Sequence, residues 1–187
     1  MSGFTFHAIE TAPAGSRDTL AAVNNKYGFV PNLLAGLANS PVALHSYLAL
    51  ADQFSKSSLS PGEQQAVSLT ASTENHCEYC VAAHSVLAAT SLTPEQIAAL
   101  RDGAPTGDSK LDAVATFTRA VVSQRGWISE EQLAAFFGAG FQRAQVLELL
   151  VGVAQKTLSN YANHLLDTPL DAAFAGASWQ PAQGWVA

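Results

Sequence analysis

Apolar residues recur along this chain at the three- and four-residue intervals of amphipathic helices, and alternating runs of β-branched residues are few. The punctuation is helical as well. A first helix starts near Ser16 or Asp18 and stops at Gly28, after which Phe29-Val30-Pro31-Asn32 reads as a break. Ser40-Pro41 offers an N-cap with proline at the first helical position. The helix it opens carries Leu44, Tyr47, Leu48 and Leu50 and fades over residues 55–58. Ser60-Pro61-Gly62-Glu63 is a capping box for a helix running to about Glu74. A further helix covers residues 77–89, and Thr93-Pro94-Glu95-Gln96 is a second capping box. Ser109 caps a helix over 110–125 that Gly126 ends, and Ser129-Glu130-Glu131-Gln132 opens a short helix ending near Gly138. Residues 142–166 form the longest amphipathic run, and the tail from Pro169 reads as irregular. The prediction is one all-α domain with its core over about residues 16–166 and an irregular tail over 167–187. There is also a faint echo at a spacing of 80: Gln65-Ala66-Val67 answers Gln145-Val146-Leu147, His84 answers His164, Cys80 answers Asn160 and Cys77 answers Thr157. A two-helix hairpin used twice would produce it.

Composition narrows the function classes. The 187 residues are 48% hydrophobic and 13% charged, which excludes a disordered chain. Nine Lys plus Arg against fifteen Asp plus Glu, with a net charge of −6, argue against nucleic-acid binding. The densest apolar stretch, residues 147–154, is interrupted by Glu148 and is too short for a bilayer, so no membrane association is expected. The first residues lack a basic region followed by an apolar one, so the expected compartment is the cytoplasm.

Both cysteines sit in one motif, Cys77-Glu78-Tyr79-Cys80. In a reducing compartment a lone CxxC reads as redox or metal chemistry before it reads as a structural staple. The preceding helix ends near Glu74, which puts both cysteines in the first turn of the next one. Unpaired backbone N–H groups and the positive end of the dipole stabilise a thiolate there. Three residues apart, the sulfurs share a face, and His84 lies on it about one turn further on. A histidine so placed can take the thiol proton, and Glu74 can orient it. Two blander readings are a pair of small buried hydrophobes and a zinc site of Cys77, Cys80, His84 and Glu74, although structural zinc sites usually draw on two chain segments. His164 reads as a hydrogen-bonded structural histidine. Trp127, Trp179 and Trp185 read as packing or interface residues, and Asp18, Asp52 and Asp112 as solvated faces or caps.

Glu74-x2-Cys77-x2-Cys80-x3-His84 resembles the carboxymuconolactone decarboxylase-like superfamily, in its alkylhydroperoxidase D-like, peroxidase-related branch. The resemblance extends through Gly28-Phe29-Val30-Pro31-Asn32-Leu33 and Leu59-Ser60-Pro61, and onward to Leu158-Ser159-Asn160-Tyr161-Ala162-Asn163-His164, covering most of residues 25–175. It implies an all-helical, cofactor-free peroxidase fold of about eight helices that assembles as homo-trimers or homo-hexamers. By the same resemblance Cys80 is peroxidatic, Cys77 resolving and His84 the relay histidine. Two positions depart from the pattern. The family's relay glutamate lies twelve residues before the first cysteine, where this chain has Gln65, and its best-known members have histidine where this chain has Tyr79. Gln65 cannot accept a proton at neutral pH. Glu74, nearest the sulfurs and on one face with Glu63, is expected to replace it, with Gln65 pointing elsewhere. The expected function is a thiol-dependent peroxidase acting on an alkyl hydroperoxide or hydrogen peroxide without cofactor or metal. An external dithiol, a lipoyl or thioredoxin-like protein, would reduce its disulfide. The alternatives are a lactone decarboxylase, whose branch lacks the cysteine pair, and a non-catalytic redox sensor or helical assembly module.

Overall fold

The local signals become nine α-helices and a short 3-10 helix in the computed structural model, which describes residues 3–181. They are α1 (Ala14–Tyr27), α2 (Asn32–Leu37), α3 (Pro41–Ser55), α4 (Pro61–Glu74), α5 (Glu78–Ala88), α6 (Pro94–Asp102), α7 (Ser109–Ser123), α8 (Glu130–Gly138), α9 (Arg143–Leu166) and the 3-10 turn Ala172–Ala177. The three capping boxes at Ser60, Thr93 and Ser129 all form, each with its reciprocal side-chain bonds. Their geometry is local, so sequence spacing alone specifies it.

Four expectations shift. Ser16 does not start α1, because its buried hydroxyl donates to the Ala38 carbonyl (3.0 Å) and the helix begins two residues earlier. Asp108 rather than Ser109 caps α7, its carboxylate accepting from the Lys110 and Leu111 N–H groups. The break expected at residues 29–32 leads straight into α2, a six-residue helix too short for a periodicity to reveal. The echo at a spacing of 80 is no repeated hairpin, because residues 65–84 span two helices while 145–164 lie within α9 alone. In the tail, Trp179 packs against a core cluster and Trp185 lies outside the described residues, while Trp127 is 86% exposed.

Helix α4 is the hub, packing against α5, α6, α7 and α9, and α3 lies along α9. Two apolar clusters result. One gathers the α4, α6, α7 and α8 side chains, with Phe136 stacked between Phe117 and Phe141 at centroid distances of 4.4 Å. The other gathers α1, α2 and α3 with Cys77, Tyr79 and Cys80 of α5 and Phe174 of the tail. The cysteine pair therefore belongs to a core. Among the described residues no helix is long and apolar enough to cross a membrane.

α3 and α9 approach closely because Gly152 leaves room for Phe54: a Cβ at Gly152 would lie 2.6 Å from the Phe54 ring. Phe54 is buried and has little space to retreat. Gly152→Ala is expected to destabilise the fold by about 1–3 kcal/mol through overpacking, read as a lower urea midpoint at unchanged slope.

Candidate active site

The turn between α4 and α5 places the sulfurs. α4 closes with a Schellman arrangement in which the His76 N–H donates to the Thr73 carbonyl (3.0 Å) and the Cys77 N–H to the Ser72 carbonyl (2.9 Å). His76 takes the left-handed conformation this requires, with φ 53°. Cys77 then serves as N-cap of α5, its carbonyl accepting from Val81 N–H (3.0 Å). One residue thus ends one helix and begins the next, which fixes Cys77 and sets Cys80 in the first turn of α5.

Both thiols are free, and they are 1% and 2% exposed. α9 crosses over them and supplies polar partners. The Asn163 amide donates to Cys80 Sγ (3.2 Å) and more weakly to Cys77 Sγ (3.6 Å), and Ser159 Oγ lies 3.7 Å from Cys80 Sγ. Asn160 accepts from Asn75 and donates to Ser72, tying the turn to α9. The two thiols are not equivalent. A hydrogen bond from Cys77 pulls the Cys80 thiol well below the ordinary thiol range, helped by the Lys156 charge and by Ser159 and Asn160, against the opposing effect of burial. Cys77 moves the other way, as the donor to Cys80 and through its own burial.

His84 sits on the same α5 face, half-buried, and lies between two groups. Lys156 Nζ is 2.6 Å from Nε2 and Gln65 Oε1 is 3.0 Å from Nδ1. An ammonium can only donate, so Nε2 accepts and Nδ1–H donates to Gln65. Burial, and then the Lys156 charge, hold the imidazole well below its usual pKa and therefore neutral. This corrects two expectations. Gln65 does not point elsewhere; its Oε1 accepts from His84 Nδ1–H. Glu74 does not orient His84, because its carboxylate accepts from Arg119 Nε (2.8 Å) at the α4–α7 contact. The four residues considered for zinc are thus not assembled around one point. Among the described residues no group of three His, Cys, Asp or Glu side chains converges.

Tyr79 has a structural task. Its hydroxyl donates to Asp171 (2.5 Å) and accepts from Leu33 N–H (3.3 Å), while both Asp171 oxygens take the Asn32 N–H at the start of α2. Burial and then the Asp171 bond push the phenol above its usual range, so it stays a donor. The clamp seats Phe174 edge-on to Phe29 and Tyr79. Phe174, with Tyr27, Tyr47 and Leu87, helps wall a cavity of about 280 Å³ that reaches Cys80, His84 and Lys156 but not Cys77. A larger cleft of about 790 Å³ at α7 and α8 has no thiol in its lining. His164 is exposed on α9 and is not among the residues lining this cavity.

Sequence reasoning missed Lys156, Ser159 and Asn163. Their signal was present as a stripe of small and polar residues, Gly152, Lys156, Ser159, Asn160 and Asn163, at helical spacing on an otherwise apolar run.

Residues 41–120 match the carboxymuconolactone decarboxylase family. No curated protein matches the chain. Among solved structures, an uncharacterised peroxidase-related protein of Ralstonia eutropha JMP134 with an alkylhydroperoxidase core aligns with a TM-score of 0.79 at 22% identity, over 91% of this chain and 93% of that one. A peroxidase-related protein of Silicibacter sp. TM1040 aligns with a TM-score of 0.79 at 20% identity, over 93% and 95%. The debrominase Bmp8, as a cysteine-to-alanine variant in complex with 2,3,4-tribromopyrrole, aligns with a TM-score of 0.77 at 13% identity, over 93% and 94%. These likenesses establish a shared fold.

The Tyr79 clamp gives a direct test. Tyr79→Phe keeps the ring contact with Phe174 and removes the hydroxyl between Asp171 and Leu33. A loss of about 1.5–3 kcal/mol is expected, the range for a bond to a charged group, measured by chemical denaturation.

Proposed function

We propose that the chain, whose residues 41–120 match the carboxymuconolactone decarboxylase family and whose fold is alkylhydroperoxidase D-like, is a thiol-dependent peroxidase. One observation carries the reading: Cys80 lines the cavity and is held toward its thiolate form, while Cys77 lies behind it, outside the cavity lining, and is held as a thiol. The sulfur that lines the cavity attacks and the one behind it resolves. Cys80 thiolate attacks the terminal oxygen of a hydroperoxide, the O–O bond breaks, and Cys80 becomes a sulfenic acid. Cys77 condenses with it, releasing water and forming the disulfide. An external dithiol, for which a lipoyl or thioredoxin-like protein is suitable, returns both thiols by exchange. The largely apolar lining favours a hydroperoxide with an organic substituent over hydrogen peroxide.

The debrominase neighbour supports a second reading, because the aromatic-walled cavity has a size that suits one substituted ring. A dithiol pair supplies the two electrons that reduce a carbon–bromine bond to carbon–hydrogen and bromide. Bromide release from a bromopyrrole without hydroperoxide consumption would select it. Against the decarboxylase alternative stands the paired-thiol geometry, which that chemistry does not need.

The homo-trimer or homo-hexamer remains part of the proposal. Leu147, Leu150, Tyr161 and Leu165 are 65%, 40%, 54% and 72% exposed on one face of α9, the kind of apolar patch that marks an interface. Light scattering at micromolar concentration should give a closed oligomer, and a monomer sinks that part.

One equivalent of organic hydroperoxide should take the reduced protein from two titratable thiols to none. Cys80→Ser should not react, and Cys77→Ser should react once and label at Cys80 with a dimedone-type probe. Two thiols persisting in the parent would overturn the peroxidase, and labelling at Cys77 in Cys80→Ser would reverse the roles. Because the Cys80 pKa is lowered, reaction should persist at neutral pH and fall as acid protonates the thiolate.

A further inference from the structure

Lys156 is the unexplained group at this site. Its side chain is 1% exposed on α9, deep between α5 and α3, where burying an ammonium without a partner is costly. Among the described residues the ion pairs found are Lys56–Asp52 and Arg119–Glu74, so no carboxylate reaches Lys156. The titratable groups that share its cavity are Cys80, Tyr79 and His84 of α5, Tyr47 of α3 and Tyr27 of α1, while α4 contributes the neutral Gln65 behind His84. Asp171, which bonds the wall residue Tyr79, is committed to Tyr79 and Asn32. Cys80 shares the cavity with Lys156, and the Lys156 charge lowers its thiol pKa, so Cys80 is the group placed to carry a balancing negative charge. His84 cannot be that thiol's base in this arrangement, since Nε2 is occupied by the Lys156 ammonium and Nδ1–H by Gln65.

From this arrangement we propose that Lys156 is a catalytic residue: its ammonium is the counter-ion of the Cys80 thiolate and the acid that protonates the departing alkoxide, with His84 the neutral acceptor that holds it in place. The acid step rests on the peroxidase reading; the ion pair does not. The protons balance around a cycle. Cys80 thiolate takes the terminal OH of ROOH, the O–O electron pair leaves on RO⁻, and Lys156 gives up a proton to yield ROH and a neutral amine. The Cys80 sulfenic acid and the Cys77 thiol lose water to form the disulfide. An external dithiol is oxidised as it reduces that disulfide to two thiols, and the Cys80 thiol proton passes to the Lys156 amine, restoring thiolate and ammonium. His84 is thus a positioning residue, and the relay runs through a lysine instead of a carboxylate.

The rate of Cys80 alkylation by iodoacetamide against pH, assigned by peptide mass spectrometry on the reduced full-length protein, tests the ion pair without any peroxide. Lys156→Met should raise the midpoint by about 1–3 pH units, the effect of losing an adjacent opposite charge. Lys156→Arg should keep most of the parent's shift. His84→Gln retains an acceptor for the ammonium and should leave the midpoint within about half a unit of the parent, whereas a histidine base would require a rise. A parent-like midpoint in Lys156→Met, or a raised one in His84→Gln, overturns the pairing; if Lys156→Met does not fold, His84→Gln alone decides. The acid step is read from single-turnover rates with hydroperoxides whose alcohols differ in acidity, at a pH where Cys80 is ionised. Lys156→Met should lose about 10²–10⁴ with the most basic leaving alkoxide and least with the most acidic one. Equal losses across the series overturn the acid role. If the parent consumes no hydroperoxide, the peroxidase reading and the acid step fall together, while the alkylation profiles still decide the ion pair.

Discussion

An ammonium taken out of water demands partners, and the burial of Lys156 sets the terms for everything around it. Helix α9 crosses the α4–α5 hairpin with a stripe of small and polar side chains toward it, and each of those side chains has an assignment. Lys156 donates to His84, which donates to Gln65. Asn163 donates to the sulfurs, and Asn160 holds Ser72 and the C-cap Asn75 at the end of α4. The result is a polar seam between two apolar clusters, in which the ammonium has a neutral acceptor and the acidic groups are the two thiols. Polar groups buried in such a seam interact more strongly than they would in water, which is how Lys156 and Ser159 add to lowering the Cys80 pKa against its burial.

The seam holds its geometry because its two sides are rigid. On the α5 side, Cys77 is at once the last turn residue of α4 and the N-cap of α5, so the sulfurs inherit their positions from two helices. On the far side, the chain's last described element closes the wall. Asp171 caps α2 from 139 residues away and bonds Tyr79, and Arg101 holds the Ala177 and Ser178 carbonyls (3.0 and 2.7 Å). Phe174 is thereby seated over the cavity. A tyrosine at position 79 therefore links the cysteine motif to the tail, a task unrelated to proton transfer.

Position 65 shows how an amide in place of a carboxylate changes the charge state of its neighbour. Gln65 stands where the resemblance implied a glutamate and contacts His84, but an amide carries no negative charge. Without that charge nothing favours an imidazolium, and the neighbouring ammonium opposes one. A neutral His84 that accepts from Lys156 is the consistent outcome. Glu74 could not step in, because the end of α4 faces α7 and Arg119 there.

What the sequence determined by itself is what depends on neighbours within a turn or two. The capping boxes at Ser60, Thr93 and Ser129, the proline-led helix starts and the long α9 are all short-range relations, and each formed as its spacing implied, whereas Cys77, expected in the first turn of α5, is its extended N-cap. The all-helical class followed from the same periodicity. Tertiary structure decided the rest. α2 exists because five of its six residues are buried and a distant carboxylate caps it. Ser16 was drawn from capping to the Ala38 carbonyl, and Glu74 from the histidine to an arginine on another helix. Lys156 became part of the site only because α9 packs across α5, 72 residues away in sequence. Helical period says which residues share a face. Which face meets which, and so which charges must neutralise one another in the interior, is settled by packing between segments that sequence spacing does not relate.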